Sequence, residues 1–552
     1  MPTLKKPKAD WKGPVLLFLL LFALLMFRNC ACGAVYYPQL DDYIQYHNYA
    51  SAPSFQALQQ STGLLASRPL AGLADYFVWG PMWDHMILAV AILSLMYVLS
   101  AMVLWDILKR YFRLTFLFPV LVVLLPLGTE GTYWMSASTR VIAGMFFAVL
   151  AARTFLKWLD GGGWGWLALY MVLQLIPFGF YEQGGLLSIT VTVGAAILEW
   201  TLKKKPLKRC LISLWGVPAM VLYLMITRLL ADGGVYSSRA DIVLPFSRYF
   251  WFNLLPKVLW QIACAFLGGG FFTAAKGFVR TVRMIFSGQL LVWTLLVLAL
   301  CVLLGLLARR WREEEQEKRP LWLPLVCGVL LAAGPVSLFL FLGNPWFSLR
   351  GTVTSFPGIA LILEPLLMCL WDRLPGGRKT IPAVLAAAAA FVFCVAGASD
   401  IVDYRDTYEN DQRIAHLIMD TLTEDGLNGD SGRVGILNLE SSYLPNQNYF
   451  YHEHIHGCTE SDWALSGLLA AEGASGLPGV TPLPSDPMYR AWNRAANHPS
   501  GFDIMYWFDG TDLIRADLEE LEENSYRVWD QSGRELGRIW EEDGIGYIRP
   551  AE

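Results

Sequence analysis

The chain has 552 residues, 55% apolar and 14% aromatic, with a mean hydropathy of +0.40. Only 16% are charged, against roughly 25% in soluble globular proteins. A disordered chain is excluded and a soluble enzyme is disfavoured. Apolar blocks of about 18 to 22 residues, each long enough to cross roughly 30 Å of hydrocarbon as a helix, mark a polytopic membrane protein.

The net charge of −4 conceals an asymmetry. Residues 1–398 hold 33 Lys+Arg against 18 Asp+Glu, whereas residues 399–552 hold 10 Arg, no Lys and 29 Asp+Glu. Two charge regimes in one chain predict two domains, 1–398 in the membrane and 399–552 soluble. An acidic soluble segment repels phosphate, which argues against a nucleic-acid partner. Cys458 is the only cysteine of that segment, so no disulfide framework is available within it.

Lys5, Lys6 and Lys8 precede an apolar run from Gly13 to about Cys32. The run is too long for a signal-peptide core, and Arg28-Asn29-Cys30 is a poor cleavage site, so it is expected to be a retained first helix. Further spans are expected near 85–105, 114–129, 139–157, 164–180, 184–202, 210–230, 289–308, 321–342, 353–371 and 381–398, eleven crossings with the first at 13–33. With the N-terminus cytoplasmic, the inner loops and the N-terminal tail collect 22 Lys+Arg, and the short outer loops carry only Arg68, Arg140 and Arg350. Segment 231–288 is apolar in part, but one more crossing there would place Arg309, Arg310 and Arg312 outside. It is therefore expected to be a large outer loop with interfacial or re-entrant helices. An odd number of spans puts the acidic domain outside the cytoplasm.

That domain is expected to be a small α/β unit. Arg433–Leu439, Phe502–Phe508, Val528–Trp540 and Ile545–Ile548 read as strands, Asp403–Thr423 and Asp512–Asn524 as helices, and Gly473–Pro487 as a loop.

The candidate site is on the outer face. The first outer loop, 37–84, carries Asp41-Asp42 about ten residues after the first span, where adjacent carboxylates need a donor, cation or proton partner. In isolation they also suit a solvated loop start or a helix N-cap. Around them lie Tyr43, His47 and other aromatic and amide residues, a composition suited to sugar stacking and hydroxyl recognition, and the loop runs on through Ser67-Arg68-Pro69-Leu70 to His85. The other outer turns add Glu130, Trp134 and Arg140, then Glu182, Arg239 and Arg350. Each alone fits an interface anchor or a lipid contact; their gathering on one face points to a site.

These features resemble the GT-C superfamily of membrane glycosyltransferases, in the many spans, the inside N-terminus and the long first outer loop with acids soon after helix one. The resemblance covers residues 1–398 in architecture. At residue level it rests on Asp41-Asp42, Arg68, the Glu130–Trp134 turn with Arg140, and Glu182, and the strings Ser67–Leu70 and Tyr133–Ser136 look similar to those of bacterial lipid-linked glucosyltransferase-like members. It implies a polyprenyl-phosphate sugar donor and a glycan, lipid or protein acceptor in the cell envelope. Asp41 or Asp42 would act as base for inverting transfer. Arg68 and Arg350, then Arg140 and Arg239, would hold the donor phosphate, with Arg28 a further candidate. Glu130, Trp134, Glu182, Tyr43, His47 and His85 would line the substrate. Some members of the superfamily place a divalent cation such as Mg or Mn on the acids, here Asp41, Asp42 and Glu130, although no ligand spacing compels one.

Other signals are weaker. His452, His454 and His456 would share one face of a strand, as zinc ligands do, but lack a fourth ligand at familiar spacing. Glu364 is an intramembrane acid for which a packing hydrogen bond is expected over a transport role. Gly161-Gly162-Gly163 lacks the Lys-Ser/Thr of a phosphate loop, and Arg312–Arg319 reads as a solvated helical linker. The rival functions are a transporter or flippase of lipid-linked sugars, which should show inverted repeats, and a non-catalytic envelope assembly protein.

Overall fold

The computed structural model describes residues 12–49, 52–62, 68–230, 243–310, 319–343, 345–372, 377–439, 457–474, 476–484, 498–542 and 545–551. It divides into two compact units. One comprises Met1–Tyr36, Phe55–Ala74 and His85–Ile401; the other comprises Tyr37–Ser54, Asp75–Asp84 and Val402–Glu552. The division in the C-terminal half lies three residues from the expected one. The first outer loop is the difference: two of its pieces belong with the acidic unit.

The first unit is helical. Among the described residues nine helices are long and apolar enough to cross a membrane, from Lys12–Asn29 to Thr380–Glu424. Trp164–Phe180 and Trp322–Ala333 are apolar but shorter. The expected span 114–129 contains only the eight-residue helix Leu117–Leu124, because Leu125 turns extended (φ −53°, ψ 120°) ahead of Pro126 and Gly128.

Ion pairs tie together one end of the bundle. Arg153 meets Asp106 at 2.7 Å, Arg110 meets Asp160 and Glu199 at 2.8 Å each, Lys205 meets Asp160 at 3.3 Å and Arg113 meets Asp372 at 3.1 Å. These residues come from four of the expected inner loops and their helix ends. At the other end Arg28 donates to Thr132 Oγ1 at 3.1 Å, the Met135 N–H donates to the Tyr36 hydroxyl at 2.9 Å, and Trp293 Nε1 donates to the Phe27 carbonyl at 2.7 Å.

Phe250–Phe286 is apolar enough to count among the nine helices, and several of its contacts are made at this second end. Gln261 donates to the Pro345 carbonyl, Phe266 stacks on Phe347, Gly270 abuts Leu127, Gly277 abuts Ala396 and Ser399, and Arg280 meets Ser399. Lys276, Arg280 and Arg283 recur at helical spacing within Thr273–Phe286 and leave Phe278, Val282 and Ile285 to an apolar side.

Glu364, next to Pro365 within helix Phe356–Trp371, is fully buried and accepts a hydrogen bond from the Thr115 N–H. This intramembrane acid thus has the packing partner expected of it.

The second unit is built on a seven-stranded sheet: β1 (Val434–Leu439), β2 (Val480–Pro484), β3 (Ile504–Phe508), β4 (Leu513–Glu522), β5 (Ser525–Asp530), β6 (Glu535–Glu542) and β7 (Ile545–Pro550). The strand order is β2-β1-β3-β4-β5-β6-β7, with β2, β1 and β3 parallel and the rest antiparallel. Alternation along β3 shows both faces: Ile504, Tyr506 and Phe508 join the core under the helical layer, while Met505 and Trp507 join a second core with Leu437, Val528 and Ile539. The helical layer is the end of Gly377–Glu424, through Ile414, Ile418 and Leu422, and helix Asp462–Ala471, through Leu465 and Leu468.

Two expectations are corrected here. Asp512–Asn524, expected as a helix, is strand β4; its Glu and Leu content suits a helix, but the period-2 set Ile514, Ala516 and Leu518 packs into the second core, and both neighbours supply a ladder. Gly473–Pro487, expected as a loop, contains β2. Pro482 and Pro484 are tolerated because β2 is an edge strand paired only with β1. Val528–Trp540 is two strands, β5 and β6, joined by a turn at Gly533 with φ +85°.

Candidate functional site

In the helical unit the residues that the sequence marked on one face form two arginine–carboxylate pairs. Glu182 is held by a local break. Helices Trp164–Phe180 and Glu182–Lys203 meet at the single extended residue Tyr181 (φ −158°, ψ 131°), which puts Glu182 in a first helical turn, where the helix dipole favours a negative charge. Arg68 reaches Glu182 Oε2 at 3.3 Å, and its guanidinium lies 4.7 Å from the centre of the Tyr181 ring. Tyr223 donates its hydroxyl to the other oxygen of Glu182 at 3.1 Å.

Glu130 is also in a first turn, that of Thr129–Thr132, and is fully buried. It accepts from Ser348 Oγ at 3.4 Å and lies 3.8 Å from Arg350 Nε. The approach depends on Gly131, where a Cβ would lie 2.8 Å from the Arg350 carbonyl oxygen. Arg350 in turn sits 5.4 Å from the centre of the buried Trp134 ring. Both arginines are therefore clamped in the same way, carboxylate on one side and aromatic face on the other.

Tyr181 joins the two pairs. It is buried, burial raises its phenol above the ordinary range, and the charges acting on it are those of Arg68, Arg350, Glu182 and Glu130. The arginines pull the phenol down and the carboxylates push it up, so it stays a neutral hydroxyl at physiological pH. The helical unit also buries polar side chains unusual for an apolar bundle, among them Asn29, Ser94, Thr129, Thr132, Ser136, Thr139, Gln183, Thr352 and Thr354.

Other expected residues are placed differently. Arg140 is buried and donates to Thr139 Oγ1 at 2.7 Å. Arg28 is buried, with Asp400 within electrostatic reach and Gly397 against its Cδ. His85 is exposed at the start of helix Met86–Leu108. Arg239, with Ser237 and Ser238, lies outside the described residues, as do His452, His454, His456, Ser67 and residues 312–318 of the charged linker.

Asp41, Asp42, Tyr43 and His47 belong to the second unit. Asp42 is fully buried and accepts the Gln39 N–H at 3.0 Å, closing the turn at Leu40. Asp41 is part-exposed. Tyr43, expected to line a substrate, is instead a core residue packed with Ile414, Leu465 and Leu468, its ring 5.7 Å from that of Trp83. His47 bonds Asn48 at 2.9 Å, its ring 5.5 Å from the Trp83 ring. Among the described residues no group of three or more His, Cys, Asp or Glu is placed to hold a metal ion.

Tyr181, Tyr223 and Ser348 were not singled out from sequence. Tyr181 carried a faint signal, sitting between an apolar run and Glu182-Gln183-Gly184; Tyr223 lies within an apolar run and carried none. No family model, no curated protein and no solved structure matches this chain.

Proposed function

We propose that the protein is a membrane-embedded glycosyltransferase that takes a sugar from a polyprenyl-phosphate carrier and passes it to a hydroxyl acceptor of the cell envelope. The observation that carries this reading is the pair of arginines, Arg68 and Arg350, each clamped between a carboxylate and an aromatic face around Tyr181 at one end of an apolar bundle. A lipid-linked phosphate needs planar cations at the end of a hydrocarbon-facing domain, and arginine offers bidentate contacts to the leaving phosphate. The carboxylates hold the cations in place before the donor arrives, so less ordering is required at binding.

The reaction forms a bond from the acceptor oxygen to the anomeric carbon and breaks the bond from that carbon to the phosphate oxygen. The acceptor proton goes to a carboxylate base, and the phosphate leaves with the bonding pair, held by the arginines. The GT-C resemblance assigns the base to Asp41 or Asp42. Asp42 is fully buried and accepts the Gln39 N–H, and Asp41 is part-exposed. The tenth-span acid Glu364 offers no support for the transport alternative, since it accepts a backbone N–H.

The test is transfer from a panel of radiolabelled polyprenyl-phosphate hexoses by the purified full-length protein. Arg68→Gln and Arg350→Gln should each lower kcat/KM about 100-fold or more, the scale of one lost electrostatic contact in a transition state. Asp41→Asn or Asp42→Asn should abolish turnover while donor binding persists. Absence of both turnover and phosphate-dependent binding with every donor would sink the reading.

A further inference from the structure

Helix Glu182–Lys203 carries Glu182 at its start and ends 22 residues on, about 33 Å away at a rise of 1.5 Å per residue. Its far end therefore lies well away from the Arg68 and Arg350 clamps, in the ion-paired end of the bundle. Lys204 closes the helix in the left-handed region (φ 56°, ψ 31°), a conformation that residues with a Cβ adopt at a cost. The N–H groups of Lys204 and Lys205 both donate to the Glu199 carbonyl, so the chain folds back over the last turn. Beside this fold is an open cavity of about 310 Å³, lined by Trp200, Thr201, Lys204 and Lys205.

The charge around the cavity does not cancel. Lys203, Lys204, Lys205, Lys208 and Arg209 crowd into seven residues, and Arg110 is drawn to the same carboxylates. Glu199 meets Arg110 at 2.8 Å and Lys203 at 3.3 Å, and Asp160 meets Arg110 at 2.8 Å and Lys205 at 3.3 Å. Six cations thus share two carboxylates, an excess of four positive charges. The further acids at this end, Asp106 and Asp372, have arginines of their own in Arg153 and Arg113. Among the described residues Lys204 and Lys208 meet no carboxylate, and both are exposed.

An apolar border adjoins these cations. Ile197, Trp200 and Thr201 share one face of the last helical turns and lead to Lys204, and Ile197 and Trp200 are half-exposed. Leu207, Leu211 and Leu214 keep a similar spacing along the next segment, which packs beside this helix, and they too are half-exposed. Trp200, between the apolar border and the lysines, has the position of a tryptophan at the depth of lipid head groups.

We propose that this cavity holds the head-group phosphate of an anionic phospholipid. Lys204 and Lys205 would bind its oxygens, Lys208 would add charge beside them, and the acyl chains would lie along Ile197, Trp200, Leu211 and Leu214. Lysine binds phosphate as a compact point charge, and basic pockets at the ends of apolar helices select phosphate head groups. A free phosphate would leave the apolar border unused, which favours the lipid. The site is at the opposite end of the bundle from the proposed transfer site and does not rest on that reading.

Purified full-length protein in neutral detergent would be titrated with phosphatidylglycerol, with phosphatidylcholine and with inorganic phosphate, bound lipid being counted by native mass spectrometry. The expected result is a phosphatidylglycerol retained in preference to phosphatidylcholine, released as salt rises, and not displaced by inorganic phosphate. Lys204→Ala/Lys208→Ala should lower that preference about tenfold. Arg309→Ala/Arg310→Ala, the same charge change at the exposed end of helix Leu291–Arg310, should leave it intact. Phosphatidylglycerol with brominated chains should quench a part of the tryptophan fluorescence that is missing in Trp200→Phe. Equal retention of the two lipids, equal losses in the two double variants, or displacement by inorganic phosphate would overturn the proposal. None of these readouts depends on transfer activity.

Discussion

Cys458 shows how burial sets a residue's chemistry. Its backbone N–H donates to both oxygens of Asp411, at 2.9 and 3.1 Å, and its side chain lies in the core with Tyr43. Burial pushes the thiol well above its ordinary value of 9.0, and the Asp411 carboxylate adds to the shift; burial does the same to the Tyr43 phenol, above 10.0. A raised pKa means the folded state holds its proton more tightly than the unfolded chain. The resulting stability is fully present below about pH 9 and is lost as pH rises beyond it. Cys458 should therefore resist alkylation at pH 8 in the native protein, read by peptide mass spectrometry, and become reactive only with alkaline unfolding. Modification in a protein whose near-ultraviolet dichroism is unchanged would contradict this. The two carboxylates of the candidate site should differ as sharply. The Arg68–Glu182 pair is about one-third and one-quarter exposed, so Glu182→Gln should cost under about 1 kcal/mol of stability. Glu130 is fully buried, and Glu130→Leu should cost about 2 kcal/mol or more by leaving Arg350 and Ser348 facing an apolar group. Thermal unfolding of the two variants side by side checks the contrast.

The helices that carry these residues are set by small side chains. Gly184, the third residue of the helix that begins with Glu182, packs on Gly144 of Met135–Leu159, and a Cβ on Gly184 would sit 2.8 Å from the Gly144 Cα. Backbone cannot yield as a side-chain tip can, and in an apolar bundle close backbone approach is a main source of helix affinity. Gly184→Val should cost about 1–3 kcal/mol and impair transfer by shifting Glu182. Gly194→Ala, ten residues on with nothing within 4 Å, should be neutral or slightly stabilising; equal losses in both would refute the close-contact argument. How far such elements could be read from sequence depended on whether their packing was local. Met135–Leu159 and Glu182–Lys203 were legible because twenty or so apolar residues announce a helix without reference to anything else. The gathering of Arg68, Glu130, Glu182 and Arg350 was legible in outline, because span counting sorted them to one end. Their pairing was not, since it turns on one extended residue, Tyr181, and one close approach, Gly131. Strand β4 was misread because its Glu-rich face reports propensity, whereas its partners on both sides are fixed only by the tertiary fold. The core position of Tyr43 was not legible either: Asp41 and Asp42 precede it, and its neighbours in space, Ile414 and Leu465, are hundreds of residues away.

At the scale of the whole molecule, the course of Phe250–Phe286 decides how the helical unit sits in a bilayer. By length and composition it could cross, and a crossing would reverse the sidedness of everything after it. Its contacts argue otherwise, because Pro345, Phe347, Leu127, Ala396 and Ser399 all lie at the end of the bundle opposite the Arg110–Asp160–Glu199 network. The exposed side fits a helix lying in an interface: Trp251, Phe252, Trp260, Phe271, Phe272 and Phe286 are open, and Lys257, Lys276 and Arg283 are spaced along the same stretch. Single cysteines at positions 257, 276 and 283, in a background lacking the other cysteines, should react with a membrane-impermeant maleimide from one side only. That side should be shared with a cysteine at Trp346 and opposite to one at Lys204. Labelling of positions 257 and 283 from opposite sides would establish a crossing. It would also put Arg309 and Arg310 on the side opposite the Arg110–Asp160–Glu199 network, against the charge sorting of the loops.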